Sequence, residues 1–380
     1  MFGSKKVRFV SYFLSWLPIF YYWANLYRMF NYSELPYIYL SVLVGFIGMY
    51  KLFTDQKLNS SFLIIVFFLY GLTGIFNYGF IGNVELNDVL SSLFVYGIFI
   101  VMIAYPIDYL QAIVSFAVTI LFFLNAYYSG AATYLMLTSS GNYVSVLLIL
   151  GLCVYFIGVN NSNKKLSLFD IIPAILCFWL AIWARGRGGI LSTGLFLLLL
   201  VMAIIKQSQE ERSKLYKIVF FTIPLLVIIM LLKSINIIEE FFSLGKFGDQ
   251  EFDTPRPLMW AEYLKKMFES PLYVLLGSPL NEVSSMHIRG NNAHNSFIQL
   301  HAYNGIIIFL GFIVLLYKSI VYMYKKHLYA LLIITFIIVI RGMTDKFIFG
   351  QYGMPVMLYL AFYPFAYKKV TWGKRKDGYA

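Results

Sequence analysis

Apolar runs of about twenty residues follow one another almost without pause from Phe9 to Tyr367, and this spacing leaves the chain few choices of fold. Each run can cross the ~30 Å hydrocarbon core of a bilayer as a helix, which satisfies its own backbone hydrogen bonds inside lipid. Composition agrees: hydrophobic residues make up 60% of the 380, charged residues 13%, and the mean hydropathy is +0.73. No soluble domain hides that much apolar surface. The expected class is an all-α polytopic membrane protein, with 1–380 forming one integral-membrane domain. The runs fall at 9–27, 37–53, 62–80, 89–105, 109–128, 143–159, 168–184, 188–205, 218–232, 296–316, 328–340 and 354–367. They predict about twelve transmembrane helices.

Charge between the runs orients them. Lys5, Lys6 and Arg8 precede the first run as in a signal sequence, but the run is long and no small-residue cleavage site follows, so it reads as a retained span. With the N-terminus cytoplasmic, inside segments carry about nineteen of the 30 basic residues, among them Lys51, Lys57, Lys164, Lys165, Lys206, Lys325 and Lys326. The short outside loops hold only Arg28, Arg185, Arg187, Arg341 and Lys346. Both termini are therefore expected in the cytoplasm, with a large extracytoplasmic loop at 233–295 between the ninth and tenth spans. The net charge of +12 belongs to topology, not to nucleic-acid binding. Cys153 and Cys177 both fall inside apolar runs, so neither a disulfide framework nor a thiolate metal site is supported. No internal repeat divides the chain, which weakens a two-halved transporter.

Trp183-Ala-Arg185-Gly-Arg187-Gly-Gly-Ile lies at the outward junction of the seventh and eighth spans, where basic residues are disfavoured. Two readings stand. The arginines and the free N–H groups of the helix start can bind an anion, with Gly186, Gly188 and Gly189 allowing close backbone approach. Alternatively the arginines snorkel into lipid headgroups and the glycines only form a turn.

Within the large loop, Asp249, Glu251 and Asp253 read as solubilising charges in a solvated segment rather than as metal ligands. Thr254-Pro-Arg256-Pro257 starts an amphipathic helix ending before Pro271, with Trp260, Leu264, Met267 and Phe268 on one face. Such a helix is expected to lie along the outer membrane surface or cap the bundle, with Arg256 near its start. Arg289 and His294 close the loop. His294 has a side chain that titrates near neutral pH and is the general-base candidate; a structural role, capping the tenth helix or bonding backbone, stands beside it. His287, His294 and His301 lack tight ligand spacing for zinc, so no metal site is expected.

Ala293-His294-Asn295, nine residues and then Gly305 resembles the outward-loop signature of the O-antigen ligase and polymerase superfamily of membrane glycosyltransferases, which is GT-C-like. Arg187-Gly-Gly-Ile is similar to that family's Ser-Arg-Gly-small motif, with Gly186 in place of Ser. Arg256 with Trp260, Pro271 and Gly277 is similar to its Arg…Trp…Pro…Gly pattern. The resemblance covers roughly 185–311. Ile308 stands where ligases tend to have Gly, Thr or Tyr, which favours a polymerase.

The resemblance implies an inner-membrane enzyme acting on the periplasmic side, without cofactor or metal. It would transfer a glycan from a polyprenyl diphosphate to a sugar hydroxyl of a lipid-linked repeat unit, with inversion. Arg187 and Arg256, helped by Arg185 or Arg289, would bind the diphosphate; His294 would take the acceptor proton; Asn295 and Gly305 would support the loop. Implied partners are polyprenyl-diphosphate oligosaccharides, membrane lipid and a chain-length regulator protein. Two rivals are a ligase using the same donor with a lipid-core acceptor, and a polysaccharide-lipid transporter. The transporter would place ionisable residues in mid-span.

Overall fold

The computed structural model describes residues 9–29, 33–128, 142–184, 187–207, 256–287, 293–349 and 353–367. Its helices in chain order are α1 (Leu17–Met29), α2 (Leu35–Thr54), α3 (Ser60–Phe80), α4 (Leu86–Ala104), α5 (Tyr109–Tyr128), α6 (Asn142–Asn161), α7 (Ile171–Trp183), α8 (Arg187–Gln207), α9 (Arg256–Met267), α10 (Pro271–Leu276), α11 (Ser284–His287), α12 (Ser296–Lys325), α13 (Tyr329–Thr344) and α14 (Met354–Phe362). Among the described residues there is no strand, only one isolated bridge between Leu58 and Tyr367.

Six helices, α2, α3, α4, α6, α8 and α12, are long and apolar enough to cross a membrane. The segments Tyr109–Asn125, Leu168–Trp183 and Tyr329–Thr344 are apolar but shorter. Among the described residues two of the expected runs, 9–27 and 354–367, do not yield full-length helices. The run at 9–27 breaks at Ser15 and Trp16, just ahead of Pro18, whose ring clashes with the carbonyl four residues back. The run at 218–232 lies outside the described residues. The run at 354–367 yields only the nine-residue α14: Pro364 has no N–H to offer the Leu360 carbonyl, which accepts from Ser319 Oγ instead.

The helices pack tightly where small residues allow it. A Cβ on Gly48 would overlap the Gly97 carbonyl, and one on Gly97 would overlap Gly45, so α2 and α4 touch backbone to backbone. α6 is apolar around its whole circumference and is correspondingly enclosed.

The two ends of the bundle differ in chemistry. At one end Lys51 lies 5.2 Å from the ring centre of Tyr105, Lys164 lies 3.5 Å from that of Tyr109, and Lys206 lies 5.4 Å from that of Tyr329. The Asn59 amide bonds the Ala366 carbonyl there, and Leu166 N–H donates to Gln207 Oε1. At the opposite end α3 finishes and α4 begins, and Asn77 and Asn83 bind the segment around α10. Asn77 Nδ2 donates to the carbonyls of Leu276 (2.9 Å) and Ala302 (2.7 Å). Asn83 Nδ2 donates to Ser278 (2.6 Å) and Ala302 (2.9 Å), while its Oδ1 accepts from Leu280 N–H.

α12 is interrupted at Gly305, whose φ of 71° and ψ of −177° are not helical. A Cβ there would overlap the Leu275 carbonyl, and a Cβ on Gly277 (φ 108°) would overlap the Ala302 carbonyl. Only glycine fits either place, by space and by φ. Ala302, just before the break, belongs with α9 and the segment 280–286 in a second small core of Met259, Tyr263, Leu280, Val283, Met286, Ala293 and Ala302.

Helix α9 covers Arg256–Met267 and ends before Pro271 as the sequence predicts, but it buries a different face. Met259, Tyr263 and Met267 point inward, while Leu264 and Phe268 are exposed. The reason is that Tyr263 finds a polar partner inside, so the stripe with that hydroxyl turns to the protein.

Candidate functional site

The site is built on the first turns of α9 and α12 and the last turn of α13. Arg256 Nη1 donates to the Thr344 carbonyl at 3.2 Å. Thr344 ends α13, and its Oγ1 accepts from Arg341 Nη1 at 3.0 Å. Arg341, 1% exposed, also pairs with Asp345 at 3.1 Å. Among the described residues two guanidinium groups thus meet around one threonine, with the Asp345 carboxylate paired to Arg341. Such a place favours an anion.

One turn along α9, Trp260 Nε1 donates to the Ala293 carbonyl at 2.9 Å, immediately before His294. Asn295 caps α12: its Oδ1 accepts from Phe297 N–H (2.9 Å) and Ile298 N–H (3.2 Å). Ser296 Oγ donates to the Asp345 carbonyl at 2.6 Å and accepts from Ile348 N–H at 3.2 Å. These bonds join the start of α12 to the loop after α13, so Arg256, Arg341 and His294 share one end of the bundle.

His294 has φ of 48° and is half buried. Asn163 and His327 also have positive φ, but each follows a helix: Lys164 N–H reaches back to the Val159 carbonyl, and Leu328 N–H to Met323. His294 instead precedes a helix. The cap is Asn295, so the capping reading of His294 is replaced.

Arg187 opens α8, and the packing of that helix decides its end. α8 lies against α13. Lys206, near the finish of α8, sits over Tyr329 at the start of α13, so the two run antiparallel. The first residue of α8 is therefore at the same end as Thr344 and Arg256. Comparison with profiles of known protein families, with curated proteins and with solved structures finds no match.

The Arg187 side chain, Arg185, Arg289 and the Asp249, Glu251 and Asp253 segment lie outside the described residues. Gly189 does not line a ligand cradle: its Cβ position is filled by Ser145 of α6, so it serves helix packing. His301 is not near a metal cluster. Its Nδ1 accepts from Tyr263 Oη at 2.6 Å and its Nε2 faces the Val274 carbonyl at 3.1 Å, which fixes the neutral tautomer. Ser278 N–H bonds the same Tyr263 hydroxyl, and burial pushes that phenol up from its ordinary pKa. Among the described residues no three His, Cys, Asp or Glu side chains are grouped to hold a metal ion.

Sequence reasoning missed Arg341 and the two asparagines. Arg341 reads as a loop charge; its signal is Asp345, four residues on, at the matching helical position. Asn77 sits inside an apolar run with no local partner, and nothing in its surroundings marks it.

Proposed function

We propose that the chain is a membrane glycosyltransferase of the polysaccharide-polymerase kind, with about twelve spans and both termini cytoplasmic. It transfers a glycan from a polyprenyl diphosphate to a sugar hydroxyl on the extracytoplasmic face. The observation that carries this reading is the hydrogen-bonded frame of Arg256–Thr344 and Trp260–Ala293, which holds a guanidinium and an imidazole-bearing turn on successive turns of one helix.

In this reading the acceptor oxygen forms a bond to the anomeric carbon from the side opposite the diphosphate. The anomeric carbon–phosphate oxygen bond breaks, the diphosphate leaves with the electron pair, and His294 takes the acceptor proton. Negative charge grows on the leaving group, so Arg256, with Arg187 and Arg341, stabilises the transition state more than the ground state. A base in this position contributes roughly a hundred- to ten-thousandfold. The apolar faces of the bundle that are turned to lipid suit the prenyl tail.

The distribution of buried charge favours an enzyme over a transporter. Among the described residues the buried ionised side chains are Asp170 and Arg341, and both stand at helix ends rather than in mid-span. Purified protein given a defined prenyl-diphosphate oligosaccharide, with no ion gradient, is expected to lengthen the glycan and release prenyl diphosphate. Absence of both products from active-site-intact protein, with the same lipid moved across vesicles, overturns the proposal.

A further inference from the structure

A cleft of about 130 Å³ opens at the same end as Arg256, between α3, α4 and the part of α12 just before Gly305. No diphosphate-binding or proton-transfer group of the proposed reaction lines it. Its walls carry Tyr70, Asp88, Ser91, Ser92, Tyr303 and Asn304, with Val84, Val89 and Phe349 filling the rest.

This lining discriminates between ligand classes. Among the described residues no Lys or Arg lines the cleft, and the Asp88 carboxylate repels an anion, so the lining does not suit a diphosphate. A hydrocarbon tail would displace water from the Asp88 carboxylate and the neighbouring hydroxyls and bring no polar group to replace it. One carboxylate is too few for a divalent cation held by protein. A neutral polyhydroxylated ring satisfies the whole set: its hydroxyls pair with carboxylate, amide and serine oxygens, and its C–H faces pack on tyrosine and phenylalanine rings.

The groups are pre-set. Asn304, 3% exposed, is held by a bond from its Nδ2 to Thr73 Oγ1 at 3.3 Å. Tyr70 is bonded to Ser92, and Ser91 Oγ donates to the Asp88 carbonyl at 3.3 Å. Asp88 stands at the third position of α4, accepting from Glu85 N–H, so its carboxylate is at the rim. Asn304 is eight residues along α12 from Ser296, about 12 Å of helix. Phe349 bridges the two places, because it stacks edge-on against Phe297 and follows Ile348, which bonds Ser296.

We infer that this cleft is a binding subsite for one neutral sugar ring, set back from the Arg256 and His294 end so that it holds a glycan away from the bond being made. The choice of a sugar as ligand rests on the glycan-transfer reading for its relevance; the lining is independent of it.

The test is protection of a cysteine in the cleft. Ser92→Cys in otherwise intact, detergent-purified protein is labelled with methyl methanethiosulfonate in the presence of methyl glycosides of neutral hexoses, 6-deoxyhexoses and N-acetylhexosamines. Cys153 and Cys177 are buried and give a low background. At least one glycoside is expected to slow labelling fivefold or more, and Asp88→Asn added to Ser92→Cys is expected to abolish the protection. Leu72→Cys, on the exposed side of α3, should be unaffected by any glycoside. Labelling of Ser92→Cys that no glycoside slows, or equal slowing at Leu72→Cys, overturns the subsite. Protection without any turnover of a prenyl-diphosphate glycan leaves the cleft assigned and removes the transfer reading; turnover without protection does the reverse. If Ser92→Cys fails to fold, saturation-transfer NMR on the unmutated protein decides the matter: transfer to a glycoside supports the subsite, and its absence for all three sugar classes overturns it.

Discussion

Trp260 donates its indole N–H to the carbonyl of Ala293 at 2.9 Å, across thirty-three residues of chain. That bond fixes the residue before His294 to the helix that begins with Arg256. Trp260→Phe keeps the ring and removes the donor. A bond of about 1 kcal/mol is lost, so turnover is expected to fall roughly fivefold with membrane abundance unchanged. Steady-state rates on a lipid-linked oligosaccharide, beside an immunoblot, check it.

Arg256 is expected to tolerate no neutral replacement. Arg256→Ala removes both the positive charge and the bond to Thr344, and polymer formation should fall by about a hundred- to a thousandfold. Arg256→Lys keeps the charge but not the planar fork, so an intermediate loss is expected. Gel profiles of surface polysaccharide in complemented strains measure both. Normal chain length in the Ala strain removes Arg256 from the chemistry.

His294 and Asn295 should separate cleanly. His294→Gln leaves the helix cap in place and is expected to lose rate without losing thermal stability, whereas Asn295→Ala should lower stability by about 1 kcal/mol. Thermal unfolding followed by intrinsic fluorescence, alongside turnover, distinguishes them. Full activity in His294→Gln makes that residue structural.

Gly277 and Gly305 lock the segment around α10 against the break in α12. Alanine at either forces positive φ on a side chain and drives its Cβ into a carbonyl, so each variant should lose about 3 kcal/mol or more and be poorly recovered from membranes. Gly311 has open space around its Cβ position, and Gly311→Ala serves as the neutral control.

Glu262 gives a pH dependence. The hydroxyl of Ser285 (2.6 Å) and its amide (3.3 Å) both donate to the Glu262 carboxylate and hold its pKa below the ordinary range. A depressed carboxylate contributes above its unfolded pKa, near 4.3, and its contribution disappears as pH falls through the lower folded value. Hydrogen exchange in residues 284–286 is therefore expected to accelerate, relative to intrinsic rates, as pH falls through that depressed value. Glu262→Gln should show no such step.

The membrane class and the end of α9 before Pro271 are legible in the sequence, because each rests on local chemistry: run length and a proline. The buried face of α9 is not. Leu264 and Phe268 are as apolar as Met259 and Met267, and the partner that decides the matter is His301, thirty-eight residues beyond Tyr263. Arg341 is lost for the same reason, since only the fold brings it beside Arg256. Span length is legible only in part: Pro18 and Pro364 shorten helices that mean hydropathy alone would draw at full length.

The interruption at Gly305 divides labour along a single stretch of chain. Beyond it, the helix packs into the main bundle through Phe312, Leu316 and Met323, and Ser319 Oγ donates to the Leu360 carbonyl. Ahead of it, the nine residues that carry Ser296, His301 and Asn304 answer instead to Asn77, Asn83 and Tyr263. The break thus lets one stretch of chain meet two differently directed frameworks that a straight helix could not satisfy together.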